Sequence, residues 1–341
     1  MVDSETRRGR QPGRVAGLRV SFSAYGWVWL GVVIVYGLML VLTPGEASIR
    51  GLATSSPYIG MLAIVTIGQT LVIMQRGIDF SVVGALLASG MVVAYLTHAG
   101  WDLVPAMLVT MAVGLAIGAL NGALVVLLNL TPLVATLAAN GLYLGVAKAI
   151  SHFSPIHVSQ ALNEVGRSKV FGVSAILVVG IVATVIAVVF VKKTAAGRRF
   201  TAVGSSAPAA RASGIATGRY VMLAYVAAGL CYALAGTLIA GYIGDSRLST
   251  GGTYLMASIA AVVIGGTPLT GGRGSLVASF GGAVFMSLLA QMVLSLGVPT
   301  AIQQLVQAGV LVIAITLPSV TGMVQRSRQK KRAATAASQS S

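Results

Sequence analysis

Long apolar segments separated by short polar ones run through most of this chain. About ten such segments occur, and none shows the two-residue alternation of barrel strands. The pattern therefore predicts membrane-spanning helices, several of them shorter than the roughly 20 residues that an isolated span needs. The predicted spans are residues 25–42, 58–74, 82–96, 103–128, 134–150, 170–191, 220–242, 256–268, 276–296 and 302–317.

The composition also predicts an all-α membrane protein. Of the 341 residues, 56% are hydrophobic and only 9% are charged, whereas a soluble domain has roughly 25% charged residues. We divide the chain into a basic tail at residues 1–22, a transmembrane domain at residues 23–320 and a second basic tail at residues 321–341.

The net charge of +16 is explained by membrane topology, and nucleic-acid binding is not indicated. The basic residues gather in the tails and in one internal loop, without the interleaved aromatic residues that stack on bases. If both termini are cytoplasmic, eighteen of the 23 Lys and Arg residues lie in cytoplasmic segments, as the positive-inside rule requires. Four lie in external segments, namely Arg50, Arg167, Lys169 and Arg247. This bias favours an even number of spans.

An irregular stretch interrupts the apolar pattern at residues 259–275. It reads Ile-Ala-Ala-Val-Val-Ile-Gly-Gly-Thr-Pro-Leu-Thr-Gly-Gly-Arg-Gly-Ser. Backbone without regular hydrogen bonds is not tolerated against lipid, so this break must lie at the membrane surface or inside protein. Its candidate structural residues are Gly265, Gly266, Gly271, Gly272 and Arg273.

The longest polar loop between two predicted spans covers residues 192–219. Within it, Pro208 is placed to begin a short alanine-rich helix that Gly214 ends. The pattern fits either an ordinary basic cytoplasmic loop or a mechanical lever.

Small residues recur every four positions on two of the predicted spans. Such stripes permit close helix crossing, and we expect packing to be their first role. The stripes are Gly114, Gly118 and Gly122 on the fourth span, and Gly229, Ala233, Thr237 and Gly241 on the seventh.

Uncharged polar side chains inside predicted spans are candidates for a solute pathway, because exposing them to lipid is costly. Amide and phenol groups suit a neutral, polyhydroxylated ligand. Interhelical hydrogen bonding is the alternative for each of them. The five candidates inside spans are Gln69, Asn121, Asn140, Tyr143 and Gln291, and Gln303 and Gln304 lie near a span end.

A polar segment follows the second span. We expect Asp79 or Ser81 to cap the first turn of the next helix, and Arg76 is placed to pair with Asp79. A structural role for Asp79 is favoured over contact with a solute.

Three stretches together resemble the ribose-type, monosaccharide-importing permeases of bacterial ABC transporters. They are Gly-Gln-Thr at residues 68–70 with Gly-Ile-Asp-Phe-Ser at 77–81, the segment at 197–215, and the glycine-rich stretch. The resemblance covers residues 57–315. The chain departs from the family pattern at Gln75, Arg76, Ser206 and Pro208, and after Tyr254, where two acidic residues are missing.

The resemblance implies an ABC importer permease fold in the bacterial inner membrane, with both termini cytoplasmic. The implied partners are ATPase subunits, an external solute-binding protein and a second permease copy or a homologous permease. The loop at 192–219 would dock on the ATPase, and the candidate residues that the resemblance implies for this contact are Gly204, Ala209, Ala210, Arg211 and Gly214. The implied solute is a monosaccharide or related polyol, moved by alternating access.

The sequence contains no phosphate-binding loop of the Gly-x-x-x-x-Gly-Lys-[Ser/Thr] type. Its seven acidic residues lie mostly in a tail or in loops, which leaves few candidates for an ion site. We therefore expect a transport subunit and not an enzyme, with no metal or cofactor of its own and with ATP used by the partner. A nucleoside or branched-chain amino-acid permease and an ion-coupled secondary carrier remain alternatives.

Overall fold

A computed structural model describes residues 26–249, 251–299, 301–314 and 316 of the chain. The predicted tails at residues 1–22 and 321–341 lie outside the described residues. The helices are α1 Trp27–Leu42, α2 Pro44–Ala47, α3 Ile49–Met74, α4 Val82–His98, α5 Leu103–Val126, α6 Pro132–Ser151, α7 Gln160–Arg167, α8 Ala175–Lys193, α9 Ala195–Ser205, α10 Ala207–Ala212, α11 Thr217–Ile243, α12 Tyr254–Ile264, α13 Leu276–Ser295 and α14 Ala301–Ala314.

Helices dominate the described residues, which confirms the predicted all-α class. Six of them are long and apolar enough to cross a membrane, namely α3, α5, α6, α8, α11 and α13. Four shorter apolar helices, α1, α4, α12 and α14, coincide with the other predicted spans. That these four also cross the membrane, giving ten spans and two cytoplasmic termini, stays a prediction.

Local capping explains where two of the helices differ from the predicted spans. Helix α3 begins at Ile49, well before the predicted residue 58, because the Ser48 side chain accepts a hydrogen bond from the Gly51 amide. Helix α12 ends at Ile264, and the following Gly266 has a φ of 77° that a helix cannot continue.

Four two-residue strands lie in the connections between helices. β1 Ile156–His157 pairs antiparallel with β4 Asp245–Ser246, and β2 Lys169–Val170 pairs antiparallel with β3 Val173–Ser174. The second hairpin occupies the start of the predicted span at 170–191, so α8 begins later, at Ala175. In β4, hydrogen bonds to Asp245 raise the pKa of Arg247.

Helices α3 and α11 form the centre of the bundle. The most apolar 18-residue window of α3 is 94% buried, against 28% for α5 and α6 and 22% for α8. Helix α3 packs against α8, α11, α12 and α13, and α11 packs against α4 and α5. The outer helices expose large apolar side chains, such as Leu108 on α5 and Ile186 on α8, which lipid or a second subunit must cover.

The crossing of α5 and α11 confirms that the two stripes of small residues pack together. A Cβ atom added to Gly229 would lie 2.2 Å from the Gly114 carbonyl oxygen, and one added to Gly118 would lie 2.3 Å from the Tyr225 carbonyl oxygen. The two backbones are therefore in contact, and a methyl group has no space between them.

This contact predicts that Gly229→Ala destabilises the protein by about 1–3 kcal/mol, the usual cost of overpacking. Gly141→Ala on α6 is the matched control, because nothing lies within 4 Å of the added Cβ and alanine favours a helix by roughly 0.5–1 kcal/mol. Unfolding midpoints of the two variants in detergent micelles measure the difference. Equal midpoints would contradict the close crossing.

Candidate functional site

A chain of buried hydrogen bonds joins the start of α4 to α5 and α6. The Asn121 Nδ2 donates to Ser81 Oγ at 2.7 Å, and the Tyr143 hydroxyl donates to Asn121 Oδ1 at 2.9 Å. Ser81 in turn donates through Oγ and its amide to Asp79 Oδ1, at 2.6 and 2.8 Å. Asp79 therefore makes structural hydrogen bonds to Ser81, and its contact with a solute is not tested.

Neither Asp79 nor Ser81 caps the first turn of α4, so the expected capping residue was wrong. Ser81 has helical backbone angles, and its side chain caps no amide, because its hydroxyl already bonds Asp79 and Asn121. The first-turn amide of Gly84 instead donates to Asn140 Oδ1 of α6, at 2.8 Å. A side chain from another helix therefore satisfies this end of α4.

Gln69 joins the two central helices, since its Oε1 accepts a hydrogen bond from the Tyr232 hydroxyl at 3.0 Å. Four of the five predicted pathway residues, Gln69, Asn121, Asn140 and Tyr143, therefore make hydrogen bonds between helices. This geometry is the alternative that the sequence left open for them. Their contact with a solute stays a prediction.

The fifth pathway residue, Gln291, lines a cavity of about 230 Å³ between α3, α12, α13 and α14. Its Nε2 also donates to Glu46 Oε2 at 3.0 Å. Hydroxyl and amide groups mixed with apolar side chains line the rest of the cavity. The other polar lining residues are Tyr58, Thr253, Tyr254, Ser287, Gln303 and Gln307.

Apart from Gln291 and Gln303, the residues that line this cavity were not predicted from the sequence, although one sequence pattern indicates them. Ser287 and Gln291 lie four residues apart on α13, and Gln303 and Gln307 lie four residues apart on α14. Residues at this spacing share a helix face. Two polar faces on apolar helices are therefore visible in the sequence, but their convergence with Tyr58 depends on tertiary packing.

The predicted polar loop at 192–219 contains two helices, α9 and α10. Helix α10 follows the expected pattern: Ser206 Oγ accepts from the Ala209 amide at 3.3 Å, Pro208 lies in the first turn, and Gly214 has a φ of 76°. Helix α9 was not predicted. It buries Phe200 and Val203 as its anchors.

The candidate contact residues divide into two groups. Ala209, Arg211 and Gly214 are exposed and free to meet a partner. Gly204 and Ala210 are buried, so they hold the segment to the rest of the chain. A Cβ atom on Gly204 would lie 2.2 Å from the Met74 carbonyl oxygen at the end of α3.

The glycine-rich stretch is a loop that packs on the same end of α3. Gly271 and Gly272 have φ values of 75° and 85°, and the Gly272 amide donates to the Met74 carbonyl oxygen at 3.1 Å. Gly265 at the end of α12 closely approaches the backbone of α13. Arg273 is exposed. The break is therefore satisfied within protein, as predicted from the intolerance of lipid.

The expected pairing of Arg76 with Asp79 was wrong. The Arg76 guanidinium donates instead to the Gly204 carbonyl oxygen through Nε, at 2.8 Å, and to the Ser205 carbonyl oxygen through Nη2. Ser205 Oγ also donates to the Gly272 carbonyl oxygen at 3.0 Å. The end of α3, the end of α9 and the glycine-rich loop thus form one junction.

The cavity contacts α3 within its N-terminal half, and this junction lies at its C-terminal end. Tyr58 lines the cavity and Met74 contacts the junction, a separation of about 24 Å at the helical rise of 1.5 Å per residue. The charge pattern predicts that Arg76, next to the junction, is cytoplasmic. It predicts that Arg50, near the start of α3, is external. Helix α3 therefore links the two candidate sites.

Comparison with known proteins places these features in a family. The family described as "Branched-chain amino acid transport system / permease component" matches residues 49–315. The ribose import permease protein RbsC of Bacillus subtilis (strain 168) is 31% identical over 292 residues, covering 85% of this chain and 91% of the relative. The chain belongs to the monosaccharide ABC importer permeases.

Other relatives of this permease carry different transport names. The autoinducer 2 import system permease protein LsrC of Enterobacter sp. (strain 638) is 32% identical, covering 84% of each chain. The galactofuranose transporter permease protein YtfT of Escherichia coli (strain K12) is 34% identical, covering 76% of each chain. No solved structure gave a significant match. The permease is a multi-pass protein of the bacterial inner membrane.

The buried hydrogen-bond chain predicts measurable energetic coupling inside the permease. A double-mutant cycle of Asn121→Ala and Tyr143→Phe is expected to give a coupling energy of about 0.6–1.7 kcal/mol, the range for interhelical bonds in membranes. A cycle of Ser287→Ala and Tyr143→Phe is the control, and these distant changes should add within about 0.5 kcal/mol. Unfolding in mixed micelles supplies the free energies, and additivity in both cycles would argue against the network.

Proposed function

We propose that this chain is the membrane-spanning subunit of an ATP-driven importer for a monosaccharide or related polyol. ATPase subunits in the cytoplasm supply the energy, a solute-binding protein delivers the solute outside, and a second permease completes the pathway. The observation that carries the proposal is the course of α3, which lines the uncharged polar cavity in its N-terminal half and meets the α9–α10 segment at its C-terminal end.

The cavity lining supports a neutral, hydroxyl-rich solute. Tyr58, Ser287, Gln291 and the other polar groups offer both donors and acceptors of hydrogen bonds. The cavity volume of about 230 Å³ is below the roughly 300–1,000 Å³ of pockets for drug-sized ligands, which favours a small molecule. The relatives named for ribose and galactofuranose agree with this chemistry.

A free amino acid fits this lining less well. Its ammonium and carboxylate groups need counter-charges when they leave water, and no Lys, Arg, Asp or Glu is among the residues that line the described cavity. Glu46 is next to the lining, but it already accepts from Gln291. A sugar or polyol is therefore preferred over a branched-chain amino acid, and a nucleoside is the second candidate among neutral solutes.

The exposed side of α10 is the proposed contact with the ATPase. Ala209 and Arg211 face outward, whereas Ala210 anchors the helix. When the ATPase subunits close on ATP, movement of α10 would tilt the helices attached to it. The cavity would then open alternately to the two sides of the membrane.

The docking role predicts a specific effect of charge reversal on α10. In the complete reconstituted complex, Arg211→Glu is expected to lower ATP-driven sugar uptake at least tenfold, because a charge of the wrong sign in an interface costs about 1.4 kcal/mol or more. Lys169→Glu is the matched control, since Lys169 is equally exposed but lies in β2, away from α10. Uptake assays with labelled pentoses and hexoses, with membrane insertion checked by immunoblot, measure both. Wild-type uptake by Arg211→Glu would count against this docking site.

The cavity predicts a steric block. Ser287→Trp is expected to abolish uptake because the indole fills much of the 230 Å³ space, while co-purification of the ATPase remains unchanged. Val277→Trp, at an exposed position on the same helix, is the control and should retain uptake. Equal uptake by both variants would place the solute pathway elsewhere.

A further inference from the structure

Arg76 has a backbone conformation that arginine rarely adopts. Its φ is 66°, in the left-handed region where Cβ crowds the neighbouring backbone. Glycine adopts this conformation without strain. An arginine held here by its surroundings is therefore a reason to ask what its side chain contributes.

The Arg76 guanidinium holds the C-terminal end of α9. Its two donors bind the carbonyl oxygens of Gly204 and Ser205, the last two residues of the helix. These carbonyl groups have no partner within α9, and a positive charge is favourable at a helix C-terminus. Because the guanidinium is a rigid plane, two bonds constrain direction as well as distance.

The two elements that Arg76 joins lead to opposite parts of the permease. Ser205 is followed directly by Ser206, which caps α10. Arg76 follows the end of α3 by two residues, and α3 extends back to Tyr58 at the cavity. Arg76 therefore provides a direct side-chain connection from the end of α9, which leads to α10, to the end of α3, which leads to the cavity.

Neighbouring contacts keep this turn in place. Gln75 Nε2 donates to the Phe200 carbonyl oxygen at 2.8 Å, and the Gly272 amide donates to the Met74 carbonyl oxygen at 3.1 Å. A Cβ atom on Gly271 would lie 2.5 Å from Arg76 Cγ. The turn after α3 is therefore packed on both sides, so a displacement of α9 also displaces this turn.

We propose that Arg76 is a positioning residue that transmits movement of α10 to α3 and thereby to the cavity. The proposal rests on the function proposed above. When α10 moves, the last carbonyl groups of α9 move with it, and the two hydrogen bonds of Arg76 carry α3 along. Without the guanidinium, the remaining contacts between α9 and α3 transmit the movement of α10 to the cavity only weakly.

The test follows the cavity without requiring the identity of the solute. The complete complex, with its ATPase subunits and binding protein, is reconstituted in nanodiscs with a permease that carries Cys231→Ala and Ser287→Cys. A maleimide reagent added from solution labels the introduced thiol, and its rate is measured without nucleotide and with MgATP and vanadate. In this background we expect the rate to change at least about fivefold, the lower end for coupled sites.

Adding Arg76→Gly is expected to reduce the change to less than about twofold, while ATPase assembly and ATP hydrolysis persist because glycine suits the backbone of the turn. Arg76→Lys keeps the charge without the planar pair of donors and should give an intermediate change. Lys193→Gln removes a positive charge from the end of α8 and should leave the full change.

The outcomes separate this proposal from the function on which it rests. A full rate change in Arg76→Gly would overturn the role of Arg76, as would loss of the ATPase from that variant, because the side chain would then serve folding or docking. No rate change in the parent background, with Arg76 intact, would contradict alternating access itself.

Discussion

The need to satisfy every backbone polar group away from water determines how this permease is built. Regular helices meet this need internally, but three segments in the bundle leave the helical pattern: the turn after α3, the end of α9 and the glycine-rich loop. Each segment provides hydrogen-bond donors or acceptors for polar groups of another. The Gly272 amide bonds the Met74 carbonyl oxygen, and Arg76 bonds the last carbonyl groups of α9. The junction exists because these irregular segments complete one another.

The same constraint connects the packing to the transport cycle. Helix α3 is nearly fully buried along its apolar length, so it moves only with its neighbours. Its C-terminal end lies in the junction, and its N-terminal half lines a cavity of uncharged polar groups. In the proposed cycle, a partner that displaces α10 acts on this buried central helix, and the ATP site belongs to that partner.

Features that depend on local chemistry were predictable from the sequence. Pro208 at the start and Gly214 at the end predicted α10, and the small-residue stripes predicted close helix packing, which the crossing of α5 and α11 contains. Helix α9 was missed because its buried side chains, Phe200 and Val203, are few and lie in a basic, polar context. The periodicity of so short a face is weak.

Features that join distant segments were not predictable. The cap of α4 comes from Asn140, 56 residues along the chain from Gly84, so no local motif identifies it. Arg76 was expected to pair with nearby Asp79, yet its guanidinium donates to carbonyl oxygens at the end of α9, more than 120 residues along the chain. The cavity likewise needs four helices to converge, which side-chain pattern alone does not specify.

The central claim is that this permease is a gate that partner subunits move. The most direct measurement is accumulation of labelled sugar against its concentration gradient in proteoliposomes without any ion gradient. We predict accumulation when the ATPase subunits, the binding protein and ATP are all present, and none when the permease is alone. Uphill accumulation by the permease alone would contradict the account.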